Sequence, residues 1–134
     1  MTQSMTVTLS LPPKALSPNA RPHWAAKARA TKAHRGEAFL MTQLAVRRSG
    51  IVIDDADDVL IRPLFLHRVS RRRDRDNALA SLKAALDGVA EALGVDDSRF
   101  VVGPVRFSTG VAVGSVELKV ECVRRPSRGP LHMV

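Results

Sequence analysis

The stretch Arg71–Phe100, RRRDRDNALASLKAALDGVAEALGVDDSRF, decides how this chain is read. Arg71, Arg72 and Arg73 lead into Asp74 and Asp76, two carboxylates with a single residue between them. Asn77 follows, then an apolar-periodic segment that carries Lys83 and Asp87 and ends at Gly94. A second carboxylate pair, Asp96 and Asp97, comes directly after. Cations suited to phosphate thus stand beside carboxylates suited to a divalent metal. Phosphodiester hydrolysis uses that combination, because the metal offsets the negative charge of the substrate.

The periodicity predicts one helix over Asn77–Leu93, capped near Asp76 and closed by Gly94. Leu79, Leu82, Leu86, Val89 and Leu93 recur at three and four, a narrow apolar seam to be packed on a sheet or on a partner chain. On a helical wheel Asp76, Lys83 and Asp87 fall within about 40° of one another, roughly 90° from the centre of the seam. Asp74 lies just before the first turn, and its carboxylate can turn toward Asp76. Two carboxylates this close repel, which raises one pKa unless a cation lies between them. Mg²⁺ suits such a pair, being satisfied by one or two carboxylates plus water and phosphate oxygens. Acids at a helix start are also ordinary caps that complement the helix dipole, so the pair by itself fits both roles.

Upstream, Met5–Leu11 alternates apolar and polar and predicts a half-buried strand, stopped by Pro12-Pro13. The loop from Leu16 to Trp24 is rich in turn formers. Its Asn19 and Arg21 suit phosphate, while Trp24 reads as a plug for the core in an ordered turn. Ala25–Arg48 predicts a long helix, loosened at Gly36. Lys27, Arg29, Lys32 and Arg35 make its first half basic, and Phe39, Leu40 and Leu44 suggest its apolar face. Ile51–Asp58 ends in Asp54, Asp55, Asp57 and Asp58. Without the ligand order or turn glycine of a calcium hand, these read as a solvated acidic loop. Val59–Val69 predicts a strand in which Pro63 implies an edge position or a bulge. Phe100–Phe107 and Ser115–Arg124 predict two more strands, with the turn between them inside Ser108–Gly114. The sum is an α+β fold, a mixed sheet of about four strands with two main helices. It forms one domain over residues 1–124, and the tail 125–134 is expected to be mobile.

The 134 residues are enough for one core, and 45% hydrophobic with 25% charged residues is a globular composition. No membrane span or signal-peptide pattern is read, and the expected location is cytoplasmic. The single Cys122 reads as a buried, inert thiol, and the four scattered histidines offer no zinc spacing. A net charge of +8 favours an anionic partner. With few aromatics and no Tyr, the chain lacks the usual stacking platform for single strands, which points to backbone contacts with duplex or branched DNA.

The run Asp74-Arg75-Asp76-Asn77, then Lys83-Ala84-Ala85-Leu86-Asp87-Gly88, then Asp96-Asp97-Ser98 resembles the RusA family of Holliday-junction resolvases. The family pattern is a basic run, D-x-D-N, a lysine-bearing helix and a later D-D, and all parts occur here in that order. Lys83 stands further from Asp76 than in the shorter family pattern. A longer variant of the form D-x-D-N…S-L-K…D-G is closer.

The resemblance implies a homodimeric, Mg²⁺-dependent, structure-specific endodeoxyribonuclease that cuts four-way junctions in recombination and repair, of a kind often encoded by prophages. It implies catalytic roles for Asp74, Asp76, Lys83 and Asp97, metal ligation by Asp74, Asp76, Asp96 and Asp97, and DNA contacts from Asn19, Arg21, Arg71, Arg72 and Arg73. Asp87 stays outside the catalytic set. The alternative is a non-catalytic dimer that binds branched DNA.

A straight helix over Asn77–Leu93 would hold the two carboxylate pairs roughly 25 Å apart. Either that helix breaks early, near Gly88, or the partner chain supplies Asp97. An antiparallel pairing of the helix with its twin would meet the second condition and bury the leucine seam.

Overall fold

The structure is a computed structural model describing residues 3–54 and 57–124. The strands are β1 (Gln3–Ser10), β2 (Asp57–His67), β3 (Phe100–Val102), β4 (Arg106–Thr109) and β5 (Ser115–Arg124). The helices are α1 (Trp24–Ser49), α2 (Arg75–Ser81) and α3 (Lys83–Leu93). The sheet is mixed, in the order β1-β5-β2-β3, with β4 also pairing β2. β5 runs antiparallel to both β1 and β2, whereas β3 and β4 run parallel to β2. The α+β class therefore holds, with five strands and three helices among the described residues in place of about four and two. Among the described residues no helix is long and apolar enough to cross a membrane. The segment 125–134 and Asp55 lie outside the described residues.

Strict alternation builds the core. Met5, Val7 and Leu9 of β1, Val59, Ile61 and Phe65 of β2, and Val116, Leu118, Val120 and Cys122 of β5 all point to one buried layer. Ala38 of α1 and Ala85 and Val89 of α3 close that layer from the helix side, together with Leu82. Cys122 is buried and unpaired as expected, and burial raises its thiol pKa. The other face of the sheet carries polar side chains such as Thr6, Thr8, Lys119 and the Arg62–Glu121 ion pair.

Pro63 is not on an edge. It lies within β2, the strand flanked on both sides, opposite Leu118 of β5. On the other flank the partner changes there. β3 pairs Val59, Leu60 and Ile61, and β4 takes over at Leu64. The predicted strand Phe100–Phe107 is accordingly two strands, interrupted at Gly103, whose N–H donates to the Ile61 carbonyl at 2.8 Å. A residue without an N–H fits where the parallel ladder is already open. The segment after β4 does not form a hairpin either, because β4 and β5 sit on opposite sides of β2.

Three further expectations change. Trp24 is 76% exposed at the start of α1, not a core plug. The buried stripe of α1 is His34, Ala38 and Thr42, while Leu40 is exposed. The acidic loop is not simply solvated. Asp57 is buried and its Oδ2 accepts from the Asp54 N–H at 3.0 Å, while the Arg99 guanidinium donates to the carbonyls of Asp54 and Asp57.

Ala38 in that stripe has a steric reason. Gly88 of α3 lies against α1 so closely that an added Cβ would fall 2.3 Å from the Arg35 carbonyl oxygen and 3.1 Å from the Ala38 Cβ. Only small side chains permit that approach. Replacing Gly88 by alanine gains helix propensity of ~1 kcal/mol but forces the two helices apart, an overpacking cost of ~1–3 kcal/mol. A thermal or denaturant melt of Gly88→Ala is expected to show net destabilisation. A melt equal to or above the wild type would contradict this contact.

Candidate functional site

The predicted helix Asn77–Leu93 is two helices meeting at Leu82. The Ser81 hydroxyl donates to the Ala78 carbonyl at 2.6 Å, and the Leu82 N–H donates to Leu79 at 3.0 Å, a tightened last turn. The Leu82 side chain is fully buried, and its carbonyl restarts the ladder by accepting from Leu86 N–H at 2.9 Å. The break is thus at Leu82, neither at Gly88 nor absent. Gly94 closes α3 as expected, in the left-handed region at φ 66°.

Asp74, not Asp76, caps α2. Its Oδ1 accepts from the N–H of Asp76 at 2.8 Å and of Asn77 at 3.1 Å. Asp76 is exposed in the first turn. Asp96 plays a matching part, accepting from Ser98 N–H at 2.8 Å to cap the 3-10 turn Asp97–Arg99. Hydrogen bonds from the Ser98 backbone, then its hydroxyl, and from Asp97 hold the exposed Asp96 carboxyl below its usual pKa.

Three clefts run side by side past these residues. The first, of about 420 Å³, lies between the end of β2 and α2 and includes Lys14, His67, Arg71, Arg73 and Asp74. The second, of about 430 Å³, is lined by Lys27 of α1, Ser81, Lys83 and Asp87. The third, of about 260 Å³, holds Lys83, Asp87 and Asp97 against Leu79 and Phe100. Ser81 is common to the first and second, and Lys83 and Asp87 to the second and third, so the clefts adjoin one another as a grooved surface around α2 and α3.

The helical wheel places Lys83 and Asp87 together correctly, because both belong to α3. Asp76 stands outside all three clefts, although other residues of α2 line each of them. The seam is largely consumed within the chain. Leu82 and Val89 are fully buried, so they are not available to a twin helix. Arg71 and Arg73 line the first cleft and Arg72 does not. Asn19 and Arg21 are exposed outside the groove. Among the described residues no three His, Cys, Asp or Glu side chains gather closely enough to hold a metal ion.

Lys14, Lys27 and His67 belong to this groove and were not singled out from the sequence as site residues. Each sits on an element of its own, so only the fold brings them in. Burial, then the Arg73 and Arg71 guanidinium groups, push the His67 pKa below its ordinary value. The ring is therefore neutral at pH 7.

No family model matches the chain. Over 103 residues it is 40% identical to an uncharacterized protein of Xylella fastidiosa strain Temecula1, covering 77% of this chain and 67% of that protein. The chain belongs to that protein's family. Among solved structures it is similar to the bifunctional IspDF of Campylobacter jejuni, at 14% identity over 92% of this chain and a TM-score of 0.34. The chain spans 42% of the length of that protein. It is also similar to the 2C-methyl-D-erythritol 2,4-cyclodiphosphate synthase of Plasmodium vivax, at 8% identity over 94% of this chain and all of that one, with a TM-score of 0.33. A third is the IspF of Plasmodium falciparum in its CDP complex, at 8% identity over 93% of this chain and 96% of that one, with a TM-score of 0.35. Scores at this level establish no shared activity.

Asp74 has a structural duty that can be separated from any chemical one. Asp74→Ala is expected to cost about 1 kcal/mol of stability, whereas Asp74→Asn, also a good cap, should cost little. Equal melts for the two variants would show that the cap contributes nothing.

Proposed function

We propose that the protein is a Mg²⁺-dependent endodeoxyribonuclease of the RusA type that cuts four-way DNA junctions as a homodimer. The observation that carries this reading is the groove itself. It threads Asp74, Asp87 and Asp97 among Lys14, Lys27, Arg71, Arg73 and Lys83. Cations along a groove hold a phosphodiester backbone, and the interspersed carboxylates suit the hard cation that its hydrolysis uses.

The donor set at the start of α2 fits Mg²⁺. Asp74 spends Oδ1 on two N–H groups and keeps Oδ2, and Asp76 is exposed beside it. Two carboxylates and several retained waters are what this ion takes. When bound, it would polarise the scissile phosphate and lower the pKa of a water. Lys83 would offset charge on the phosphate, and Arg71 and Arg73 would seat the flanking backbone. Asn19, Arg21 and Arg72 would meet DNA outside the groove.

Asp97 lines a different stretch of the groove from Asp74, and Asp96 lines none of the three clefts. A shared site therefore draws Asp97, with Asp96 beside it, from the partner subunit. A two-fold junction needs two symmetric cuts, which a dimer of composite sites provides. With Leu82 and Val89 buried within the chain, a dimer through the leucine seam would use the partly buried Leu79, Leu86 and Leu93. A second reading, a non-catalytic binder of branched DNA, is favoured by one observation. Asp74 and Asp96 are both engaged as caps.

Incubation of a labelled four-way junction with and without Mg²⁺ separates the two readings. Nuclease activity predicts metal-dependent, paired incisions near the branch point. Asp76→Asn should abolish them while leaving junction binding intact, since it removes a ligand and some negative charge. Binding without incision at any divalent metal concentration would leave only the binder. The groove also predicts a salt signature. Arg71→Ala should lower the slope of log K against log salt by ~0.9, one phosphate contact. An unchanged slope would mean that DNA lies elsewhere.

A further inference from the structure

We propose that the cleft between β2 and α2 is a nucleotide subsite that takes one unstacked base from the branch point of the junction. The inference rests on the DNA reading above and adds what the cleft itself recognises. Its apolar wall is aromatic. Phe65, His67 and Phe107 stand with ring centroids 5.8 to 6.1 Å apart in all three pairings, Phe65 buried in the core as backing and His67 and Phe107 partly exposed in front of it. These three rings come from β2 and β4, paired in register so that Phe65 faces Phe107. Of only four Phe in the chain, two are spent here. The sparse aromatic content that argued against a stacking platform is thus concentrated beside the candidate carboxylates.

The rim is cationic. Lys14, Arg71 and Arg73 share the cleft with the rings, and Asp74 is the sole carboxylate among its lining residues. Arg73 is braced in advance, its guanidinium donating to the Arg71 and Val69 carbonyls at 3.2 Å each. A cation held in place binds phosphate at a smaller entropic cost than a free one.

Rings and cations around about 420 Å³ match two parts of a nucleotide, its apolar base face and its phosphate. A duplex would offer only the phosphate, because its bases are stacked. At a branch point the unstacking cost is already partly met, so the subsite would favour branched over linear DNA.

A double-mutant cycle between protein and DNA tests this. Junctions carrying a single abasic residue at each branch-flanking position would be titrated against the wild type and Phe107→Leu, which keeps apolar volume and removes the ring. His67→Leu serves as the second variant should Phe107→Leu melt early. At one or two positions the abasic junction should bind the wild type about tenfold more weakly. The ring variant should bind the intact junction about tenfold more weakly and show no further loss with the abasic one. Independent, multiplying losses, or no loss at any position while the wild type still binds junctions, would overturn the subsite and leave the nuclease reading standing. Failure of the wild type to bind any junction would overturn both.

Discussion

The helical layer depends on the burial of Leu82 between two short helices. Its side chain is fully enclosed by the core, and the chain there leaves one helical ladder and enters another. A leucine in that position is worth roughly 1.5–3 kcal/mol of burial, enough to set where the ladder is cut. Once Leu82 is fixed, α3 lies against α1 through Gly88, and Lys83 and Asp87 open onto the groove. α2 is left to carry Asp74 beside the end of β2. The seven residues of α2 bury nothing completely, so its position is set from its two ends. Asp74 caps one, and Leu82 anchors the other.

Charge is organised by the same framework. The groove gathers five cations from four separate parts of the chain: Lys14 before α1, Lys27 on α1, Arg71 and Arg73 after β2, and Lys83 on α3. That is a surface built by the fold rather than a basic tail, and it suits a rigid polyanion. The carboxylates in it are not simply free ligands. Asp74, in the groove, and Asp96, outside it, each hold a local turn together.

The strands and α1 were legible in the sequence because alternation and breakers are local signals. β5 begins and ends where its alternation does, and Gly94 stops α3 as a left-handed cap. What was not legible depended on neighbours. Nothing local distinguishes Leu82 from its seam-mates as the point of a break. Pro63 lies within the flanked strand only because β3 and β4 leave a gap beside it, and the gap is a property of the partners. The small stripe of α1 reads as neither polar nor apolar until Gly88 is packed on it. For the site, Asp74, Lys83, Asp87 and Asp97 were visible as chemistry. Their separation was legible too, from the length of the helical segment between them, whereas the place of the break at Leu82 was not. His67 was hidden among strand residues, and its pairing with Phe107 is a contact across the sheet.

The central claim is that carboxylates kept apart in one chain meet across a dimer. Subunit mixing tests it most directly. Asp76→Asn and Asp97→Asn proteins, each inactive alone, would be combined under conditions where subunits demonstrably exchange, with a four-way junction and Mg²⁺. Composite sites give each heterodimer one intact site, and nicking of a single strand should return. Exchange without any recovery of nicking would contradict the shared site and place all the working carboxylates within one subunit.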